Sequence, residues 1–145
     1  MVTEVKSATP EVVEALAALV PQLSSSASAP TSAEIDAIAG SPATVLLVAH
    51  DRHGTIVGSL TLVVFRAPTG PRAWIEDVVV DTSTRGQGIG AALVGEALNR
   101  AAAVGARTVD LTSRPSREAA NRLYVRLGFE QRATNVYRWN YAPEE

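Results

Sequence analysis

The chain has 145 residues, of which 46% are hydrophobic and 19% are charged, and this composition predicts one globular domain spanning residues 1–145. The net charge of −2 argues against non-specific nucleic-acid binding, which needs a dense positive surface. The absence of cysteine excludes disulfides and thiolate metal sites, and no apolar run approaches the roughly 20 residues that span a bilayer. Residues 1–10 lack the features of a signal peptide, so we expect a cytoplasmic protein with no membrane partner.

The first half of the chain predicts two helices and three strands. Pro10 is placed to start a helix, because apolar residues follow it at helical spacing as far as Leu23. Thr31 and Glu34 have the spacing of a capping box and predict the start of a second helix. In chain order the predicted elements are a strand at 2–7, a helix at 10–23, a serine-rich connector at 24–30, a helix at 31–40, a strand at 41–51 and its hairpin partner at 56–65.

The second half predicts a strand, a glycine loop and a helix, then another strand and helix, and finally two short strands. Gly105 and Gly128 lie just past the two predicted helices, a common position for a C-cap, and Ser116 is the predicted N-cap of the second. The predicted elements are a strand at 73–80, the loop RGQGIG at 85–90, a helix ending near 105, a strand at 107–112, a helix ending at 128, and strands at 129–133 and 136–141. The hairpins predict antiparallel pairs and the strand–helix–strand crossover a parallel pair, so we expect a mixed α/β fold.

The glycine loop predicts a binding site for phosphate. A strand, a glycine turn and a helix together present unpaired backbone N–H groups, which attract anions, and the absence of side chains lets a ligand approach closely. Gly86, Gly88 and Ala91 formally match the dinucleotide fingerprint, with Asp110 near the position of a ribose partner, so a dinucleotide-binding protein is one alternative. A P-loop is excluded, because the only lysine is Lys6.

Two stretches resemble the signatures of the GNAT superfamily, the GCN5-related N-acetyltransferases. VVVDTSTRGQGIGAAL resembles the acyl-CoA-binding signature, with Arg85, Gly88 and Gly90 at its core positions, and AANRLYVRLGFE, residues 119–130, resembles the second signature, a helix ending in a tyrosine before a Gly-Phe turn. The resemblance covers nearly the whole chain. It implies a central mixed β-sheet that splays between the fourth and fifth strands, with helices on both faces, and acetyl-CoA as the donor.

The resemblance also implies which residues bind the coenzyme. The main-chain amides of the glycine loop would hold the pyrophosphate, and the pantetheine arm would run along the preceding strand. Arg117 stands where the family often has an asparagine, so Arg117 and the nearby Asn121 are both candidates for a coenzyme contact. The predicted coenzyme-binding residues are Val78, Val79, Val80, Arg85, Gly86, Gln87, Gly88, Ile89, Gly90, Ala91, Arg117 and Asn121.

Three side chains are candidates for the chemistry. Tyr124 matches the family's tyrosine and is the predicted general acid, since a phenol with a pKa near 10 stays protonated at neutral pH. Glu76 is the predicted general base, and Asp77 the predicted amine-binding or structural carboxylate. Strand alternation would direct only one of these two carboxylates into the site, unless a bulge re-aims them.

These residues predict an N-acetyltransferase that moves an acetyl group directly from acetyl-CoA to a primary amine of a small molecule. The alternatives are a protein N-acetyltransferase and an acyl-CoA-binding sensor or regulatory module without turnover. We expect no metal, because His50 and His53 are interpreted as turn residues with no third ligand near them in the sequence. We expect no nucleic-acid partner, and the terminal strands are a candidate edge for a homodimer.

Overall fold

The computed structural model describes residues 1–142. Its backbone contacts divide the chain into two units, Met1–Ser113 and a C-terminal unit that begins at Arg114. The helices are α1 (Pro10–Leu23), α2 (Ser32–Gly40), α3 (Ile89–Ala103) and α4 (Glu118–Leu127), with a 3₁₀ turn at Thr82–Thr84. The strands are β1 (Val2–Glu4), β2 (Thr44–His50), β3 (Ile56–Ala67), β4 (Gly70–Val80) and β5 (Val109–Asp110).

The first unit contains one five-stranded sheet in the order β1-β2-β3-β4-β5. The first four strands pair antiparallel with their neighbours, whereas β4 and β5 are parallel. Parallel neighbours need a crossover connection, and α3 provides it. The predicted mixed α/β fold is therefore confirmed.

The sheet opens between β4 and β5. Only two residue pairs join these strands, Ala73 with Val109 and Trp74 with Asp110. Within residues 1–142, no strand pairs with residues 75–80 on that side, although β4 continues to Val80. The predicted splay between the fourth and fifth strands is confirmed, and it leaves the second half of β4 without a strand partner on one side.

Helices of the first unit cover both faces of its sheet. Leu16 of α1 and Ile35 of α2 pack in one buried cluster with Val79 of β4. A Cβ atom added to Gly58 of β3 would lie 3.0 Å from Leu93 Cδ1 of α3, so α3 packs closely against the opposite face. Burial on both faces explains why consecutive residues of β2 and of the first half of β3 are buried, rather than alternate ones.

The C-terminal strands predicted at 129–133 and 136–141 are wrong, because residues 129–142 form no strand in the structure. Side-chain alternation shows only that a segment can form a strand, whereas a strand exists where its N–H and C=O groups pair with a neighbour. The predicted strand at 107–112 shortens to β5 for the same reason, and the predicted strand at 2–7 ends at Glu4. The N-cap of α4 is Arg117 rather than the predicted Ser116.

None of the helices in residues 1–142 combines the length and the apolar character that crossing a membrane requires.

Candidate active site

A β-bulge interrupts β4 at the predicted catalytic carboxylates. The register between β3 and β4 shifts so that Asp77 and Val78 together lie opposite Leu60. Asp77 has a φ of 53°, and it is the only residue other than glycine with positive φ within the described chain. Aspartate tolerates this region better than most residues, and a bulge re-aims the side chains beside it.

The bulge changes which face of the sheet the second half of β4 presents. Glu76 pairs with Thr61 of β3, and Val79 pairs with Ser59. Ser59 and Thr61 are two residues apart on β3, so they lie on the same face of the sheet. Val79 packs in the cluster beneath α1, and directly paired residues share a face. Glu76 therefore points to the α1 side of the sheet, and both Glu76 and Asp77 are exposed.

The Glu76 carboxylate is held by a residue that the sequence analysis did not assign to the site. The indole Nε1–H of Trp74 donates a hydrogen bond to Glu76 Oε1 at 2.6 Å. Residues two apart on a strand lie on the same side, and this spacing was the available signal for the contact.

The glycine loop has the local geometry that its sequence predicts. Gly86 and Gly88 have φ values of 83° and 78°, a region that disfavours residues with a Cβ atom. A Cβ atom added at either position would meet nothing within 4 Å. Backbone conformation and not packing therefore requires these two glycines, and the space in front of them is open.

Amides at the end of this loop have no partner in the described part of the chain. Gly88 is the N-cap of α3 and makes no side-chain capping hydrogen bond. The first N–H of this region to find an acceptor is that of Ala92, which donates to the Gly88 carbonyl. Within residues 1–142, the N–H groups of residues 88–91 donate to no protein acceptor. A run of unpaired amides at a helix start attracts anions.

The chain leading into the loop is fixed by polar contacts. The Asp81 carboxylate accepts from the backbone N–H of Ser83 at 2.9 Å and from its hydroxyl at 2.8 Å. The backbone N–H of Ser83 is the main reason that the pKa of Asp81 lies below its ordinary value. Gln22, near the end of α1, accepts from the N–H of Thr82 at 3.0 Å. These contacts anchor the chain between β4 and the loop.

A cavity of about 600 Å³ borders the loop in the first unit. Gln87, Gly88 and Ile89 line one side, and residues 50–53 of the β2–β3 hairpin line the other. The His50 ring is committed to the hairpin, because its Nδ1 lies 3.1 Å from the Gly54 carbonyl and its Nε2 lies 3.1 Å from Thr3 Oγ1. These contacts agree with the interpretation of His50 as a turn residue.

The C-terminal unit contains the predicted general acid. Tyr124 is half-buried in α4, and its ring meets Phe129 edge to face with centroids 5.8 Å apart. Burial raises the pKa of Tyr124 above 10.0, while the positive charge of Arg117 opposes the shift. The phenol therefore keeps its proton at neutral pH. As predicted, α4 ends at Gly128, and the N–H of Phe129 closes the turn on the Tyr124 carbonyl at 2.9 Å.

Arg117 and Asn121 lie at the start of the same helix. Asn121 Nδ2 donates to the Arg114 carbonyl at 3.0 Å, and its main-chain N–H donates to the Arg117 carbonyl. The Asn121 side chain thus supports the turn before α4. A coenzyme contact for either residue stays a prediction.

The sequence matches a model of the acetyltransferase (GNAT) family over residues 12–129. It is also 33% identical over 98 residues to a mycothiol acetyltransferase of Propionibacterium freudenreichii subsp. shermanii. That match covers 68% of this chain and only 30% of the relative, so the chain spans less than a third of the relative's length.

Solved structures share the fold over almost the full chain. A protein of Agrobacterium tumefaciens str. C58, named provisionally as an acetyltransferase, has a TM-score of 0.85 and 25% identity, covering 97% of this chain and 99% of that chain. A glucosamine-6-phosphate N-acetyltransferase of Arabidopsis thaliana has a TM-score of 0.79 and 20% identity, covering 96% and 98%. At that identity the second likeness concerns the fold alone.

Proposed function

The chain belongs to the GNAT acetyltransferase family, and on that premise we propose that it transfers an acetyl group from acetyl-CoA to a primary amine of a small molecule. The observation that carries the proposal is the run of unpaired amides at residues 88–91, together with the open space beside Gly86 and Gly88. A diphosphate fits this arrangement, because its oxygens can accept hydrogen bonds from the unpaired N–H groups. Its negative charge is also favourable at the N-terminus of α3.

The residues around the loop complete the coenzyme site. The amides of residues 85–91 bind the diphosphate, and the exposed Arg85 side chain adds a charge-assisted contact. Val78, Val79 and Val80 offer main-chain groups to the pantetheine amides, which take the place of the strand that is missing beside this part of β4. Acetyl-CoA supplies an acetyl thioester, whose carbonyl carbon accepts the amine nitrogen as the carbon–sulfur bond breaks.

Glu76 removes the amine proton. Alkyl amines are mostly protonated at neutral pH and attack only as neutral nucleophiles, so a base is required. Glu76 is exposed on the α1 side of the sheet and keeps Oε2 for this proton, since Oε1 accepts from Trp74. Asp77, the next residue, provides a second negative charge that attracts an ammonium group. A main-chain N–H near Val78 or Val79, in or beside the bulge, stabilises the developing oxyanion.

Tyr124 provides the proton for the leaving sulfur. Its Oη stays protonated at neutral pH because burial raises its pKa. Proton transfer from the phenol to the departing thiolate completes the exchange, so that the amide and the coenzyme thiol are the products.

Titration calorimetry with acetyl-CoA, followed by thiol release across a panel of amines, tests this function. The panel contains amino sugars, polyamines, amino acids and a peptide with a free amino terminus. We expect acetyl-CoA to bind and at least one small amine to release thiol. Turnover confined to the peptide would identify a protein N-acetyltransferase instead. Binding without thiol release on any amine would identify a coenzyme sensor, and failure to bind acetyl-CoA would refute both.

A further inference from the structure

We propose that Trp74 is a positioning residue, which holds the Glu76 carboxylate in the orientation needed to take a proton from the acceptor amine. The proposal rests on the proposed function of Glu76 and adds a residue to it. The residues that carry it are Trp74 and Glu76, together with the pairing partners of Trp74 on β3 and β5.

The contact between the two side chains has an unambiguous direction. An indole Nε1 can only donate, so the 2.6 Å contact is an N–H bonded to a carboxylate oxygen. That distance is short for an N–H donor, as hydrogen bonds to charged acceptors are. Within residues 1–142, the Glu76 side chain makes no other hydrogen bond or salt bridge. Without the indole, rotation about the glutamate side chain would therefore be unrestrained.

Trp74 is paired with a strand on each side, whereas Glu76 is paired on one side only. The main chain of Trp74 pairs with Val63 of β3 and with Asp110 of β5, so a strand flanks it on each side. Glu76 pairs only with Thr61 of β3, lies where the sheet opens, and precedes the bulge. The indole thus connects a carboxylate in the open part of the sheet to the last residue that is paired on both sides.

This arrangement suits a proton acceptor. The indole occupies one carboxylate oxygen and leaves the other available, so an approaching amine meets a defined atom rather than a rotating group. Proton transfer requires the two heavy atoms to come within hydrogen-bond distance, and pre-orientation raises the fraction of encounters that achieve it. Trp74 need not touch the substrate to have this effect.

A double-mutant cycle with Trp74→Phe and Glu76→Gln tests the proposal. Because general-base catalysis contributes roughly 10² to 10⁴-fold, we expect Glu76→Gln to lower kcat at least about a hundredfold. We expect Trp74→Phe to lower kcat about tenfold without changing the Kd of acetyl-CoA. In the Glu76→Gln background, Trp74→Phe should have no further effect, since its partner is already altered.

Two outcomes of the cycle overturn the proposal. An unchanged kcat in a folded Trp74→Phe protein shows that the indole N–H is not needed. An equal loss of kcat in both backgrounds shows that Trp74 acts independently of Glu76. Trp139→Phe is the matched control, because this second tryptophan is 82% exposed, and we expect kcat to stay within about twofold of the wild type.

A second variant keeps the test decisive if Trp74→Phe does not fold. Benzothienylalanine incorporated at position 74 keeps the size and shape of the tryptophan ring system but replaces the N–H with sulfur. A loss of kcat comparable to that expected for Trp74→Phe supports the proposal, whereas full activity overturns it.

Tryptophan fluorescence tests the contact without any assay of turnover. The chain has two tryptophans, so Trp139→Phe leaves Trp74 as the only one, and excitation at the red edge of the absorption band avoids the tyrosines. Adding Glu76→Gln should then shift the emission of Trp74, because the charged acceptor on its indole N–H is lost. Unchanged emission overturns the hydrogen bond itself. If the wild type released no thiol with any amine, the proposed function and this role would fail together, while an emission shift would still show that the two side chains are bonded.

Discussion

Helices α2 and α3 begin in opposite ways. At the start of α2 a capping box is complete, since Glu34 N donates to Thr31 Oγ1 at 3.1 Å and Thr31 N donates to Glu34 Oε1 at 2.9 Å. At the start of α3 the N-cap is Gly88, and no side chain among residues 1–142 caps the first turn. A helix start that needs only stability satisfies its own amides, whereas the start of α3 keeps its amides available.

The hairpin turn at residues 51–55 and the glycine loop line the same cavity, and they differ in the same way as the two helix starts. The Asp51 carboxylate accepts from the N–H groups of His53 and Thr55 at 2.8 Å and 3.0 Å. Gly54 has a φ of 83°, close to the 78° of Gly88, but it lies in a turn whose amides are bonded. Positive φ is therefore common to both turns, and unpaired amides distinguish the loop that is proposed to bind the coenzyme.

Tyr124→Phe has the largest expected effect. It tests whether turnover depends on a residue outside the α3 start, which is proposed to bind the coenzyme and to take no part in proton transfer. We expect kcat to fall by a factor on the order of 10² or more, because the general acid is lost. The Kd of acetyl-CoA, measured by calorimetry, should stay the same. Tyr141→Phe is the control, since that side chain is 98% exposed. An unchanged kcat in Tyr124→Phe would remove the phenol from the mechanism.

Gly88→Ala and Gly54→Ala form a matched pair with the next largest effect. A Cβ atom meets no neighbour at either position, so both variants should lose a similar free energy of unfolding, about 1–2 kcal/mol for a left-handed residue. Only Gly88→Ala should weaken acetyl-CoA binding, by roughly tenfold or more. Its Cβ atom would stand in the open space where the diphosphate approaches the amides, and each lost hydrogen bond to a charged group is worth about 1.5–3 kcal/mol.

Equal affinities in the two glycine variants would contradict the assignment of the coenzyme to the α3 start. Chemical denaturation gives the free energies of unfolding for the same preparations, so a loss of affinity can be separated from a loss of fold.

Thr31→Ala tests the closed helix start, and its effect should be confined to stability. The alanine removes the acceptor of the Glu34 N–H, and loss of such a cap lowers the free energy of unfolding by about 1 kcal/mol. We expect urea denaturation to show this loss and calorimetry to show an unchanged Kd for acetyl-CoA. Weaker binding in this variant would show that the two helix starts are not independent.

The smallest expected effect is a pH dependence of the free energy of unfolding, which comes from the Glu34 carboxylate of the same capping box. The N–H of Thr31 is the main reason that the pKa of Glu34 lies below 4.5 in the folded chain. A lowered pKa means that the unfolded chain binds the proton more tightly. The stabilisation of the folded chain by the Glu34 charge is therefore complete above pH 4.5, and it is lost as the pH falls through the lower pKa of the folded chain.

Glu34→Gln isolates this contribution, because glutamine can complete a capping box without titrating. Comparing the free energies of unfolding of the two proteins between about pH 5 and pH 3 removes the shared effect of other carboxylates. We expect the wild type to lose stability relative to Glu34→Gln as the pH falls. Parallel curves would show that Glu34 does not contribute through its charge.

Much of the fold and part of the site could be predicted from the sequence. The starts of α1 and α2, the end of α4 and the conformation of the glycine loop agree with the predictions, since each depends on residues only a few positions apart. The strand boundaries were less predictable. Apolar alternation at residues 136–141 indicated a strand that did not form, because pairing requires a neighbouring edge that alternation does not specify.

By itself, the sequence determined the local geometry of the glycine loop, where the coenzyme is proposed to bind. Glycine conformations and unpaired amides at a helix start are local properties of the chain, and the stretch that resembles the family signature contains the same residues. Only the tertiary structure decided how the carboxylates of β4 are presented. The bulge at Asp77 arises from the register with β3, and the support of Glu76 by Trp74 depends on strands β3 and β5, which are distant from each other in sequence. Pairing between such distant segments is set by the packing of the whole sheet, so no local pattern predicts the bulge or the point where the sheet opens. The two-residue spacing of Trp74 and Glu76 is the only local part of this arrangement.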